Sequence, residues 1–527
     1  MTTAAPHQLS GHDAWNPGLE STIPADLRPL STFLRPENVL TGAAEAREIH
    51  GLTGLPEPDC VVFRASRLAL HEVLVRMTAE ISIPDSDRIE QLGINFREMT
   101  SRVMARLAPR SAEWDAIEAR CRKDALAAIA PRLDRLASDA AAAEAARWRE
   151  WSQGPAAERT AIRALGRVVS SILVRHGRLW GPREVIARVA AGIASNECAS
   201  QAIGEAIEAP FRDAVKAEGF RVLPPQREPI VMNTKGASAS GKTTIRPLQR
   251  RLAKEIGADW ADFALVSPDI WRKQLLDYGS LGAAYKYAGP FTGEELRIVD
   301  QKLDTYMAKK AEAGRMTHLL IDRFRFDSFA PHSDEAGSNL LTRFGRTVYL
   351  FFMITPPASL VQRAWNRGLE VGRYKAVDDT LAHAVEAYTG MPGLFFTWAE
   401  RGDKRVHFEF LDNEVPAGQR PVTVAYGWNR DITILDPRPL MDIERYRHID
   451  VNARSPEALF ARDAASDEQR DSAFIRECVK RFERVRFADP AAGRIRREIV
   501  RGVERAVDDP IPEEARRETL GRWTRAD

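Results

Sequence analysis

Eight consecutive residues, Gly236-Ala237-Ser238-Ala239-Ser240-Gly241-Lys242-Thr243, match the spacing G-x-x-x-x-G-K-[ST], which wraps backbone around phosphate oxygens. The residue types suit that task. Small side chains let peptide N–H groups point into a concave loop. A helix that begins at the loop adds the positive end of its dipole. Lys242 can reach β- and γ-phosphates, the Thr243 hydroxyl can ligate Mg²⁺, and Thr244 is expected among the nucleotide-binding residues. The apolar run 230–232 ahead of the loop predicts a buried strand, and 245–256 predicts a helix. Strand, loop and helix follow in the order the motif requires.

A phosphate loop implies a nucleoside triphosphate but no particular reaction. The second signal is Val266-Ser267-Pro268-Asp269-Ile270-Trp271-Arg272, with Asp269 at the carboxyl end of a predicted strand. Asp269 can take a proton from an attacking hydroxyl, and as an N-cap it would also fit. Arg272, one helical turn on, can hold an anionic acceptor. Another predicted strand ends in Asp322, where phosphate-loop proteins hold Mg²⁺ through water. Arg323 and Arg325 follow at once and either neutralise phosphate or pair with Asp322 and Asp327. Further on, Arg363 and Arg367 are four apart and share a helical face. Arginines on a lid stabilise the charge that spreads over a transferring phosphoryl group. Arg373, preceded by two glycines, can swing in as such a lid closes. Asp412 and Asn413 end a later strand, in a place suited to adenine contacts.

The elements that must position these groups are legible as patterns. Residues 229–436 alternate short apolar runs with helical stretches, which predicts an α/β unit with a mostly parallel sheet. Ligands gather at the carboxyl ends of such strands. The Pro-rich break 223–229 separates this unit from a helical region over 41–222. There Leu68, Leu70, Val73, Leu74 and Met77 recur at helical spacing, and further helices are expected over 124–151, 159–176, 182–193 and 201–218. Residues 1–40, rich in Pro, Ser, Thr and Gly, read as a disordered leader. Residues 437–527 interleave acids and bases and read as a helical extension, with helices over 467–486 and 492–507.

Composition excludes several classes. At 527 residues, 44% hydrophobic and 28% charged, the chain suits a soluble protein of two or three units. A net charge of +2 argues against nucleic acid as a partner. Cys60, Cys121, Cys198 and Cys478 are far apart in sequence and lack metal-ligand spacing, so reduced thiols are expected. No apolar run is long enough to span a membrane, and no secretory signal peptide is visible. There is no dinucleotide fingerprint after a strand and no protein-kinase motif set.

Taken together, Gly236 to Thr243, Asp269 with Arg272, and Arg363 with Arg367 resemble the zeta-toxin and polynucleotide-kinase group of phosphate-loop kinases. The wording of 236–243 followed by Ser267-Pro268-Asp269 is similar to a plant-pathogen type III effector family with a zeta-toxin-like kinase domain. That resemblance implies ATP and Mg²⁺ as cofactors, Asp269 as general base and lid arginines on phosphates. It implies NAD as acceptor, phosphorylated on the adenosine ribose 3′-hydroxyl, and a small antitoxin or chaperone as partner. It also implies a chain made in the cytoplasm and delivered into a host cell by a type III system. Zeta toxins themselves phosphorylate a UDP-amino sugar, and they carry a glutamate and glycine where this chain has Asp322-Arg323-Phe324-Arg325. A UDP-sugar kinase, a polynucleotide kinase and a nucleotide-gated binding protein are the competing readings.

Overall fold

The computed structural model describes residues 11–86, 89–323, 345–460 and 471–525. Arg325 and Asp327 therefore lie outside the described residues. Ten strands form one sheet among the described residues, in the order β10-β9-β8-β7-β6-β5-β4-β1-β3-β2. They are β1 (Ile230–Lys235), β2 (Phe263–Val266), β3 (His318–Ile321), β4 (Thr347–Ile354), β5 (Arg405–Asp412), β6 (Val422–Trp428), β7 (Asp431–Ile434), β8 (Arg484–Asp489), β9 (Arg494–Val500) and β10 (Val503–Pro510). The first five are mutually parallel. From β5 onward the pairings are antiparallel except β7 with β8.

The parallel strands are short, almost continuous apolar runs because both of their faces are covered. β4, Thr-Val-Tyr-Leu-Phe-Phe-Met-Ile, is buried from its second residue to its last. β1 sits between β3 and β4, so the loop that leaves its carboxyl end opens near the middle of the parallel half. Strand connections switch sides at such a point, and a crevice forms there.

The helical region is α1 (Ala43–Thr53), α2 (Ala65–Glu80), α3 (Ile89–Leu107), α4 (Ser111–Asp134), α5 (Ala141–Arg149), α6 (Ala156–His176) and α7 (Arg183–Ala217). α2 is buried all round, including Arg67, His71, Glu72 and Arg76. It packs against α4, α7, β2 and α10 (Ala288–Glu312). One apolar core runs from these helices into the sheet, so the Pro-rich break at 223–229 does not divide the core. Where two helices are expected over 182–193 and 201–218, α7 is continuous, because 194–200 contains no residue that stops a helix. α4 and α7 also bring Cys121 and Cys198, free thiols far apart in sequence, to 2.8 Å between sulfurs.

Two expectations are corrected. Residues 484–510 form β8, β9 and β10, not the helices expected over 467–486 and 492–507, although a helix does span Ala473–Arg481. β10 is exposed along almost its whole length. It lies at the sheet edge and so shows no apolar alternation, and its charges suit an edge strand. The second correction concerns the leader. Residues 1–10 lie outside the described residues, but 11–40 are packed against the body. Leu19, Phe33 and Leu34 are buried, and Ile23, Leu27 and Leu30 pack on a satellite core of Leu276, Leu281 and Phe291. Thr32 donates to Phe291 O at 3.2 Å, and Ser21 Oγ to Asp378 Oδ2 at 2.5 Å. A few large apolar residues, one per turn, suffice to dock a segment whose average composition is polar. No helix among the described residues is long and apolar enough to cross a membrane.

Candidate functional site

The loop after β1 turns tightly before a 3₁₀ turn, Lys242–Ile245, that feeds α8 (Arg246–Glu255). Gly241 has φ 89° and Ala239 φ 64°. A Cβ at Gly241 would lie 2.3 Å from Asn413 Nδ2, so glycine is required there by both conformation and space. Asn413 Nδ2 donates to Ser240 O at 2.7 Å, and Thr244 Oγ1 donates to Gly241 O at 2.7 Å. Lys242 Nζ donates to Gly236 O and Ala237 O at 3.1 and 3.0 Å. The ammonium thus lies in the mouth of its own loop, held by carbonyls that an anion would replace. Ser240 Oγ is buried with no hydrogen-bond partner. An orphaned hydroxyl and a cation in a narrow cradle fit a polyphosphate.

Asp269 follows β2 on a 3₁₀ turn, Pro268–Trp271. The turn is anchored from below by the wholly buried Trp271, whose Nε1 donates to Thr78 Oγ1 of α2 at 3.1 Å. The Asp269 carboxylate opens into a cavity and accepts from Arg272 Nε at 2.9 Å and from Arg373 at 2.7 Å. The side chain is 47% exposed to the cavity, and the enclosing walls by themselves would raise this carboxyl. The ion pairs with Arg373 and Arg272 outweigh that effect and hold the group well below the usual carboxylate range. Each oxygen keeps a lone pair free for a hydroxyl. Arg272 also donates to Gly289 O and Thr292 Oγ1, both at 2.8 Å, and so ties the turn to the start of α10.

Asp322 lies one residue past β3, its N–H donating to Val266 O at 2.9 Å. Burial raises its carboxyl; Lys242 and Arg246 oppose the shift, and the nearby Asp269 adds to it. Burial likewise pushes the Lys242 ammonium down from its ordinary value, against the pull of Asp322 and Asp269. Thr243 and Asp322 face the same cavity. No group of three or more His, Cys, Asp or Glu able to hold a metal occurs among the described residues. A metal here would depend on phosphate and water ligands, which is the habit of Mg²⁺. Arg323 is buried and pairs with Asp300 at 2.7 Å and Asp304 at 2.6 Å on α10.

The helix Pro357–Val371 carries Arg363 and Arg367, and the structure separates them. Arg367 lines the cavity. Its Nε donates to Arg373 O at 3.4 Å, and burial together with Arg373 lowers it to about 10. Arg363 turns instead to the 413–415 loop and donates to Asn413 O at 2.6 Å. The expectation that both arginines face the crevice is corrected: four residues is slightly more than one turn, and long side chains diverge from neighbouring stems. Arg363 thereby steadies Asn413, which braces the phosphate loop. Asn413 was expected near adenine and is found behind the loop. Arg373 reaches the cavity without any swing, because Gly372 at φ 73° caps the helix and turns the chain back.

Lys242, Thr243, Asp269, Arg272, Asp322, Arg367 and Arg373 therefore line one cavity of about 1020 Å³. That is the upper end of the roughly 300–1,000 Å³ typical of a single small-ligand site, and it leaves room for a nucleotide and a second molecule.

No family model matches this chain, and no curated protein does. A solved structure of the PezAT chromosomal toxin-antitoxin system of the human pathogen Streptococcus pneumoniae is similar over 40% of this chain and 76% of its own, with 17% identity and a TM-score of 0.26. A likeness of that size carries no argument about function.

Sequence reasoning misses part of the cavity. Leu19 to Ile23 of the N-terminal segment form one wall, and Tyr278, Tyr374, Lys375, Asp379 and His383 another. The N-terminal wall has no sequence signal. Lys375 and His383 sit two and ten residues after Arg373, so a lid carried on into the next helix, Val377–Ala399, would include them.

Proposed function

We propose that this cavity transfers the γ-phosphoryl group of ATP to a hydroxyl of a small molecule. The preferred acceptor is the adenosine ribose 3′-hydroxyl of NAD. One observation carries the phosphotransferase reading: Lys242 of the phosphate loop, the carboxylate of Asp269, and Arg367 and Arg373 share one cavity. The preference for NAD rests on the resemblance of 236–243 and 267–269 to the effector kinases, and so does the expectation of a small antitoxin or chaperone partner.

In this mechanism the phosphate loop and Lys242 hold the triphosphate of ATP. Asp269 accepts a hydrogen bond from the acceptor hydroxyl on a free lone pair. The hydroxyl oxygen bonds to the γ-phosphorus, the bond from that phosphorus to the β–γ bridging oxygen breaks, and ADP departs. The hydroxyl proton passes to Asp269. A carboxylate held this low is a weak base, so the proton moves late, once the attacking oxygen has become acidic. That order suits the loose transition state of phosphoryl transfer. Arg367 and Arg373 offset charge on the equatorial oxygens. Mg²⁺ held by Thr243, and through water by Asp322, would neutralise the β- and γ-phosphates.

Asp269→Asn tests the reading. ATP binding should persist while transfer falls by about 10²–10⁴, read as loss of a product one phosphate heavier. Unchanged turnover would remove Asp269 from the mechanism. An acceptor panel decides the rest: product on a UDP-amino sugar but not on NAD would replace the acceptor. Slow ATP hydrolysis with no phosphorylated product would favour a nucleotide-gated binding protein.

A further inference from the structure

Beyond Asp269 the cavity wall carries a cation that the phosphate loop does not need. Lys375 lies two residues after Arg373, with its side chain only 11% exposed. Its ammonium is 3.2 Å from Asp379 and hydrogen-bonded to His383 Nδ1. His383 Nε2 lies 3.3 Å from the same Asp379 carboxylate. Burial lowers His383 to about 4, so it is neutral at pH 7. Its Nδ1 lone pair then accepts from Lys375 and its Nε2–H faces Asp379. An ammonium has three protons. Two are engaged by His383 and Asp379, which leaves one for the cavity.

The charges on this wall do not balance. Four cations, Arg272, Arg367, Arg373 and Lys375, share this wall with three carboxylates, Asp269, Asp379 and Glu20. Asp269 engages Arg272 and Arg373, Asp379 engages Lys375, and Arg367 bonds to a carbonyl. Other charges that line the cavity are matched: Arg28 pairs with Glu57, Arg297 with Glu294, and Arg323 with Asp300. In the proposed transfer Arg367 and Arg373 serve the phosphoryl group and Arg272 is engaged by Asp269, which leaves Lys375 as the cation of this wall that can meet the acceptor.

We propose that Lys375 is the residue that binds a phosphate group of the acceptor. Asp379 and His383 aim the ammonium as positioning residues. The proposal rests on the phosphotransferase reading and adds one acceptor-binding residue to it.

The experiment uses the full chain and the variants Lys375→Ala and Lys375→Arg, with NAD, a UDP-amino sugar and adenosine as acceptors. Lys375→Ala should raise KM for the pyrophosphate acceptor by about tenfold or more, as expected for loss of a charge-assisted hydrogen bond. It should leave KM for ATP and the weak reaction with adenosine unchanged, and Lys375→Arg should restore most of the affinity. An unchanged KM for the pyrophosphate acceptor, or an equal rise for adenosine, would overturn the proposal. Equilibrium binding of NAD and of the UDP-amino sugar in saturating ADP supplies a readout that does not depend on turnover. If the wild type transfers nothing to any acceptor, the kinase reading fails. The phosphate site then stands only if one of the two ligands binds and Lys375→Ala weakens that binding, and it falls if neither binds or the variant changes nothing. If the wild type transfers and Lys375→Ala behaves identically, only the phosphate site fails.

Discussion

The two sides of the cavity are built in opposite ways. The donor side is nine consecutive residues, 236–244, on one turn between β1 and α8. The acceptor side is assembled from 19–23, 269–278 and 367–383, segments far apart in sequence, and the helical region holds the middle one in place. Trp271 reaches Thr78 of α2. Arg67 of α2 donates to Leu275 O at 2.8 Å and pairs with the buried Glu295 of α10. A local turn needs little beyond its own backbone geometry, whereas a wall made of distant segments depends on a scaffold. The helical half, which carries no motif of its own, is that scaffold.

That contrast can be broken by experiment. The largest effect is expected at the point where both sides meet, in the Asp269→Asn loss of transfer described above. Arg67→Ala should come next. It leaves Glu295 buried without its main partner, a change that costs about 3–5 kcal/mol and would appear as a lower denaturation midpoint. At denaturant concentrations where the variant is still folded, acceptor KM should rise more than ATP KM. Equal shifts in the two would end the scaffold argument.

Asn413→Ala probes the donor side in isolation. Losing the brace on Ser240 should raise KM for ATP by about tenfold, the scale of one buried hydrogen bond, with acceptor KM unmoved. Arg363→Ala should give a weaker version of the same pattern, whereas Arg367→Ala should lower kcat.

A pH profile sharpens the comparison from the acceptor side. Burial lowers Lys375 to about 8; Asp379 opposes this, while Arg367 and Arg272 add to it, and His383 beside it is already neutral. The protonated form is the one that binds phosphate. Acceptor affinity should therefore be full below that value and decline as pH rises through it, by about tenfold one unit above. KM for ATP should not follow the same curve. The smallest effect is expected from Ser21→Ala. It removes one exposed hydrogen bond between the N-terminal segment and Asp378 and should raise acceptor KM only about two- to fivefold. A change in ATP affinity instead would show that the segment serves the donor side.

The α/β architecture was legible because each parallel strand is a short apolar run bounded by turns, a pattern that burial on two faces imposes. The far half of the sheet was not. β10 is exposed along most of its length, so its charged residues carry no period to read. The N-terminal segment was hidden for a related reason: its docking depends on Leu19, Ile23, Leu27, Phe33 and Leu34, too few to alter a polar average. Arg363 and Arg367 have the same residue type on the same helix, and no spacing rule says that one turns to a backbone carbonyl and the other to the cavity.

By itself the sequence determined what is local. A loop of small residues before a lysine dictates its own backbone path, and an acid after a buried strand must emerge at that strand's end, because strand direction follows from chain direction. Only the tertiary structure decided which charged side chains meet. Arg373 against Asp269 and Arg323 between Asp300 and Asp304 are partnerships across folded surfaces. A long flexible side chain has several reachable partners at equal sequence distance. The choice among them is made by burial, which strengthens the pairs it encloses and excludes the water that would otherwise replace them.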